Sequence, residues 1–238
     1  MKSKFVRYFS LIIVLIFLSL SVGAQAAPSK ALLSEPNATL AGSTIRVSLA
    51  IDGTEGNGTS EWPFISADGR FVGFHSAATN LVSDDTNGDW DVFAFDQQIS
   101  QTTRASVASD GTQGNANSYS HYSALSADGR YAVFNSYADN LVDGDTNNQP
   151  DIFVHDFQTG ITTRVSIASD GTQAEGDSWN PSISADGRYV AFQSGANNLV
   201  PDDTNLGQDI FVHDRQTGQT ILVSTGSDGT HGNGHSYE

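Results

Sequence analysis

The chain of 238 residues contains no cysteine, so it forms no disulfide and carries no lipid-modified cysteine at a processing site. Basic residues are scarce: eleven Lys and Arg stand against 27 Asp and Glu, a formal charge of −16. A surface of that sign repels nucleic acid and anionic membrane, and it favours cations, basic partner surfaces or plain solubility. Long apolar runs are equally scarce. The one present, Phe9 to Val22, follows Lys2, Lys4 and Arg7 and precedes Ala24-Gln25-Ala26. This pattern predicts a secretory signal peptide over 1–26, cut before Ala27. The run falls short of the roughly 20 apolar residues of a spanning helix. The expectation is an exported chain, periplasmic or extracellular, with no membrane insertion once the signal is removed. Removal takes three basic residues and no acid, so the formal charge falls to −19. An exported chain without disulfides relies on its core or on metal for stability. Catalytic signatures are missing too: no Gly-x-Ser-x-Gly elbow, His-Glu-x-x-His pair or phosphate-cradling glycine loop occurs. The expectation is a protein that is not an enzyme.

What is present is one text written three times. Ser66-Ala67-Asp68-Gly69-Arg70 returns at 126–130 and 184–188, and Asp-Gly-Thr marks one phase at Asp52, Asp110, Asp170 and Asp228. A period of 58 to 60 residues identifies a repeat architecture. The organisation predicted is a flexible leader over 27–43, a lone outer strand over 44–50, and blades over approximately 62–109, 122–169 and 180–226. A truncated start of a fourth repeat then fills 227–238.

Within the third copy, Pro181 to Ser184 is extended and Asp186-Gly187 favours a tight two-residue hairpin turn. Arg188 to Ser194, Asp209 to Asp214 and Thr220 to Ser224 are β-rich, with a turn at Gln216-Thr217-Gly218. The unit is therefore four antiparallel strands, and its repetition predicts an all-β fold of β-propeller blades. The usual blade is nearer 40 residues. The excess sits in a long loop before the third strand and in another between blades.

These motifs carry a resemblance. Ser-Ala-Asp-Gly-Arg, then Tyr189-Val190-Ala191-Phe192, then Asp209-Ile210-Phe211-Val212-His213-Asp214 resemble the WD40-like (PD40) repeats of TolB-type β-propellers over about residues 44–238. The resemblance implies exported propellers that serve as binding platforms for proteins or ligands and are sometimes fused to hydrolase domains. Ala67, Ala127 and Ala185 stand where the family pattern has proline, and the long loops are additions.

Thr44 to Ala50 matches the fourth strand of the later units, as in Thr103-Arg104-Ala105-Ser106, Thr163-Arg164-Val165-Ser166 and Ile221-Leu222-Val223-Ser224. Three blades are fewer than the four to eight of a closed ring. The expectation is an open or incomplete propeller, either a portion of a longer one or an arc that self-associates through its open blade edges.

Chemistry-bearing residues concentrate in the loop before each third strand. Asp85, Asn87 and Asp91, then Asp145, Asn147 and Asp151, then Asp203, Asn205 and Asp209 offer oxygen ligands at positions 1, 3 and 7 of a calcium loop. Position 12 falls on Asp96, Asp156 and Asp214. A strand rising about 3.3 Å per residue carries those acids out of one coordination sphere, and Trp90, Pro150 and Gln208 replace the glycine of position 6, so no EF-hand forms. Two readings stand: calcium held by these residues with carbonyls and water, best in the first copy with its extra Asp84 and Asp89, or Asp and Asn making side-chain-to-backbone turns.

His155-Asp156 and His213-Asp214 recur at one strand position, with Phe95-Asp96 in the first copy, and read as blade structure. The non-repeating histidines are His75, His121, His231 and His235; the last two read as solvated. Aromatic residues vary between copies at Trp62, Tyr119, Tyr122, Trp179 and Tyr237. With Glu61, Glu175 and Asp177 they offer a peptide or sugar face, or else blade packing. The function predicted is a non-catalytic module that binds a protein or small ligand. The alternatives are the N-terminal propeller of a longer, peptidase-like hydrolase and a glycan-binding propeller.

Overall fold

A computed structural model describes residues 44–205, 207–232 and 234–236, the side chains at 120–123 excepted. The signal peptide and leader, Tyr237, and the side chains of His121 and Tyr122 lie outside this description.

The described residues form twelve strands in three sheets. The first holds β1 (Ser60–Ile65), β2 (Phe71–Ser76), β3 (Asp91–Asp96) and β4 (Gln101–Arg104). The second holds β5 (Ser118–Leu125), β6 (Tyr131–Ser136), β7 (Asp151–Asp156) and β8 (Ile161–Arg164); the third holds β9 (Ser178–Ile183), β10 (Tyr189–Ser194), β11 (Asp209–Asp214) and β12 (Gln219–Leu222). Each sheet runs in chain order, and every pair is antiparallel. First strands touch the first strands of neighbouring blades, so β1, β5 and β9 are the inner strands. The fold is an incomplete β-propeller of three blades.

The apolar core lies between blades. Val133, Ile152, Val154 and Val165 of the second blade pack with Ile183, Val190, Phe192 and Phe211 of the third. Val92 and Ala105 of the first pack with Leu125, Phe134 and Phe153 of the second. Third strands have neighbours on both sides and on both faces, and every residue of β3 and β7 is buried. Outer strands alternate instead, as Gln101–Arg104 does, with Thr102 and Arg104 turned inward.

The repeated Ser-Ala-Asp-Gly-Arg segment is a five-residue connection, not the expected two-residue turn. In the third blade the Asp186 carboxylate accepts from Ser184 Oγ at 2.5 Å and from the Arg188 amide at 3.0 Å, and so closes the wider loop. The glycine serves twice. Gly129 and Gly187 have φ of 70° and 73°, and each is the seat of an aromatic ring from the blade before it. A Cβ at Gly129 would stand 2.0 Å from Phe71 Cδ2, and one at Gly187 2.2 Å from Tyr131 Cδ2. The closing Arg grips the end of the third strand: Arg70–Asp96, Arg130–Asp156 and Arg188–Asp214 close at 2.6, 2.7 and 2.7 Å.

Two expected boundaries shift. Residues 44–50 form no strand, because among the described residues no third strand lies beside them; Leu49 makes a single bridge to Glu55. Inner strands begin at Ser60, Ser118 and Ser178, two to four residues before the expected blade starts, because each serine hydroxyl meets a second-strand partner, Ser76, Ser136 or Ser194.

Candidate functional site

The loop before each third strand buries the carboxylate at its end. Asp91 is fully buried; its Oδ1 accepts from Ser106 Oγ at 2.5 Å and its Oδ2 from Asn87 Nδ2 at 3.3 Å. The Arg104 guanidinium enters the same loop, 3.4 Å from Asp91, 3.7 Å from Asp85 and 3.3 Å from Asp84, and donates to Gln113 Oε1 at 3.0 Å. Burial pushes the Asp91 carboxyl up to about 6, against the pull of Ser106 and Arg104. The second loop repeats the arrangement: Arg164 lies 3.4 Å from Asp145 and 3.5 Å from Asp151, which also accepts from Ser166 and Gln173. The third loop keeps the acids but has Leu222 and His231 in place of the arginine and glutamine. There Asp209 accepts from Ser224 at 2.7 Å and from Asn205 at 2.8 Å.

In the first two loops the residues read as calcium ligands thus surround a cation of the chain's own. A guanidinium already stands among those carboxylates, and the first copy, expected to bind best, has it in contact with three of them. The asparagines make the side-chain-to-backbone turns of the other reading: Asn87, Asn147 and Asn205 accept from the amides of Asp89, Gln149 and Gly207 at 3.0, 2.9 and 2.7 Å. No three His, Cys, Asp or Glu side chains among the described residues form a metal-holding group. The arginines were missed by sequence reasoning because Arg104 lies 13 residues beyond Asp91, across a strand and a turn.

The histidine–aspartate pairs are divided by the strand pleat. His155 Nδ1 meets Thr162 Oγ1 at 2.9 Å, and burial depresses its pKa to about 4. Asp156 turns to Arg130, whose hydrogen bonds hold it down to about 2. His213 meets Thr220 in the same way.

The copies differ at one end of the inner strands, and these differences are neighbours in space. Second strands place His75, Asn135 and Gln193 at equivalent buried positions, opposite Glu61, Tyr119 and Trp179 on the inner strands. From there a chain of edge-to-face ring contacts crosses the blades. Trp90 meets His75 at 4.8 Å, His75 meets Tyr119 at 5.8 Å, Tyr119 meets Tyr137 at 6.4 Å, and Tyr137 meets Trp179 at 5.6 Å. The Glu61 carboxylate lies 3.8 Å from His75 Nε2, and Asn180 Nδ2 donates to Gln193 Oε1 at 3.0 Å. All three inner ladders break here, and Trp62 and Asn180 take φ of 52° and 53°, a left-handed backbone that non-glycine residues hold only at a cost. A cavity of about 190 Å³ is lined by Tyr119, Asn135, Trp179 and Asn180. Asn135 is fully buried in that wall with neither amide atom hydrogen-bonded. Of the aromatic residues read from sequence, Trp62, Tyr119 and Trp179 gather here with Glu61 and Asp177. Asn135, Tyr137 and Gln193 were not anticipated, although comparing the copies position by position marks them.

No protein-family model and no curated protein matches the chain. Solved structures with similar folds include a protein assigned as TolB from Agrobacterium tumefaciens, at 20% identity over 69% of this chain and 48% of that one, TM-score 0.45. TolB from Acinetobacter baumannii is 20% identical over 71% of this chain and 33% of that one, TM-score 0.43. The β-propeller domain of the Trilobed protease from Pyrococcus furiosus, which has an open velcro topology, is 13% identical over 71% and 43%, TM-score 0.41. The chain thus spans less than half the length of each. The fold itself, read from strand order and blade packing, is that of a β-propeller, of which the described residues form three blades.

Proposed function

We propose that this chain is an exported, non-catalytic binding module whose ligand face is the non-repeating end of its inner strands. One observation carries the reading: residues that differ among the three copies, Glu61, Tyr119 and Trp179 on the inner strands and His75, Asn135 and Gln193 opposite them, gather at one end of the blades. Selection for a stable blade acts on every copy alike, whereas one ligand needs one asymmetric set of contacts. The face offers ring edges and planes, amides and the carboxylates of Glu61 and Asp177, with no Lys or Arg among the residues named. That composition suits a neutral or cationic ligand able to stack and to hydrogen-bond, such as a peptide segment. The signal-like leader supports export. Engagement of His155 and His213 by threonines, and of Asp156 and Asp214 by arginines, supports a structural role for those pairs.

The test is selection from a displayed peptide library, with a glycan array in parallel, on the parent and on a Tyr137→Ala/Trp179→Ala double variant. Tyr137 is 46% exposed and Trp179 half-buried, so the change leaves the core intact. Ligands that bind the parent and lose at least about tenfold on the variant are expected, in line with aromatic contacts at hot spots. Ligands that bind both proteins equally place the face elsewhere.

A further inference from the structure

The three long loops are one design with one difference. In the second loop Arg164 supplies the positive charge: it faces Asp145 and Asp151 and donates through Nη2 to the carbonyl of Gly144 at 3.3 Å. The first loop uses Arg104 in the same way on Asp85, Asp91 and the carbonyl of Asp84. One carbonyl and at least two carboxylates thus surround a guanidinium twice in this chain. In the third loop the same places hold Asp202, Asp203 and Asp209, and the strand residue in phase with the arginines is Leu222. Asp202 has φ of 63°, close to the 73° of Gly144, so this bend of the loop is shared. The acids have not become polar surface. Asp209 is fully buried, and Asp203 is 8% exposed with its Oδ1 hydrogen-bonded to nothing. His231 acts electrostatically on Asp203 but makes no ion pair with it among the described residues. Two buried carboxylates with no guanidinium between them are costly, and the carboxylate oxygen of Asp203 that has no hydrogen-bond partner adds to the cost.

We propose that the third loop is a divalent-cation site, formed by the Asp202 carbonyl with the carboxylates of Asp203 and Asp209 and matched to calcium. The ligands are all oxygen, only two of them are acids, and the remaining positions fall to water. Hard cations accept such a set, and calcium tolerates its irregular geometry better than magnesium does. In this account the metal performs in the third blade what an arginine performs in the other two: it neutralises the carboxylate that anchors the start of the third strand. The inference is independent of the ligand face, which lies on other residues.

The experiment is calorimetric titration of the EDTA-treated protein with calcium chloride, paired with thermal melts. The parent is expected to bind one calcium with Kd of about 10⁻⁴–10⁻³ M, the range of extracellular calcium modules, and to melt higher with calcium than in EDTA. Leu222→Arg restores the guanidinium without touching a ligand and is expected to abolish both effects while keeping the parent's circular dichroism. Asp203→Asn guards against a Leu222→Arg protein that does not fold, and is expected to weaken binding at least tenfold. A parent that neither binds calcium nor responds to it in the melt overturns the proposal. So does a folded Leu222→Arg, or an Asp203→Asn, that binds calcium as the parent does.

Discussion

The blade bodies and the inner end of the blades obey different rules. In the bodies the copies share one clamp: Arg70, Arg130 and Arg188 each hold an aspartate at the end of the third strand and lie over the ring of the next residue at 4.7, 4.7 and 4.8 Å. At the inner end the equivalent buried residues are His75, Asn135 and Gln193, and their contacts differ: His75 meets the Trp90 and Tyr119 rings, Gln193 accepts from Asn180, and neither amide atom of Asn135 is hydrogen-bonded. Sequence similarity between copies therefore separates two kinds of constraint. What repeats sets the common geometry of the blades, and what varies is the face we propose for a ligand.

The largest effect that would break this comparison lies in the loops. Replacing Arg104 by Leu, the residue of the third copy, leaves Asp91 and Asp85 without their guanidinium. A loss of about 3–5 kcal/mol by denaturant unfolding is expected, since removing one partner strands a buried charge. A loss below about 1 kcal/mol would mean that the loops do not depend on a cation at all.

Next come the seats of the aromatic rings. Gly69, Gly129 and Gly187 share a left-handed backbone, but only the second and third carry a ring; among the described residues nothing lies within 4 Å of a Cβ at Gly69. Gly69→Ala is expected to cost about 1–2 kcal/mol, the backbone penalty alone. Gly129→Ala and Gly187→Ala add displacement of Phe71 or Tyr131 and are expected to cost about 1–3 kcal/mol more. Equal costs at all three positions would remove the ring seat from the account of blade packing.

His155 sharpens the comparison through pH. Its folded pKa, about 4, lies below the ordinary value near 6.5, so the unfolded chain binds the extra proton between those values. Its contribution to stability is complete above about pH 6.5 and shrinks as pH falls toward 4, by on the order of 3 kcal/mol in all. His155→Phe, the residue of the first copy, is expected to flatten the dependence of stability on pH in that window. Asp91 acts in the opposite sense: its raised pKa makes folding less favourable as pH climbs from about 4 to 6, so it partly masks His155 in the parent. An unchanged pH profile in His155→Phe would exclude the buried imidazole as its source. The smallest effect on stability is expected from Tyr137→Ala/Trp179→Ala, well below that of any loop or seat variant, although the same change is expected to cost the most in ligand binding.

Much of the body was legible in the sequence. Asp209 to Asp214 reads as a strand and is one, and the phase of Asp-Gly-Thr places all three blades. The inner strands were less legible, because Ser60-Glu61-Trp62-Pro63 lacks alternation and its ladder is broken by a left-handed Trp62. The loops were less legible for another reason. Spacing reports which oxygens are near each other along the chain, but the charge among them comes from Arg104 and Arg164, brought in by the pairing of the fourth strand on the third. The sign of the exception was nevertheless in plain sight, since Arg104 and Arg164 are followed in phase by Leu222.

The central claim is that the non-repeating end is where the molecule meets its ligand. Hydrogen exchange followed by mass spectrometry, with and without a peptide recovered from the library, tests it directly. The account predicts added protection at 60–62, 118–119 and 178–180 on the inner strands, with none on the outer strands β4, β8 and β12. Protection confined to the outer strands, or spread evenly over the three matching blade bodies, would contradict it.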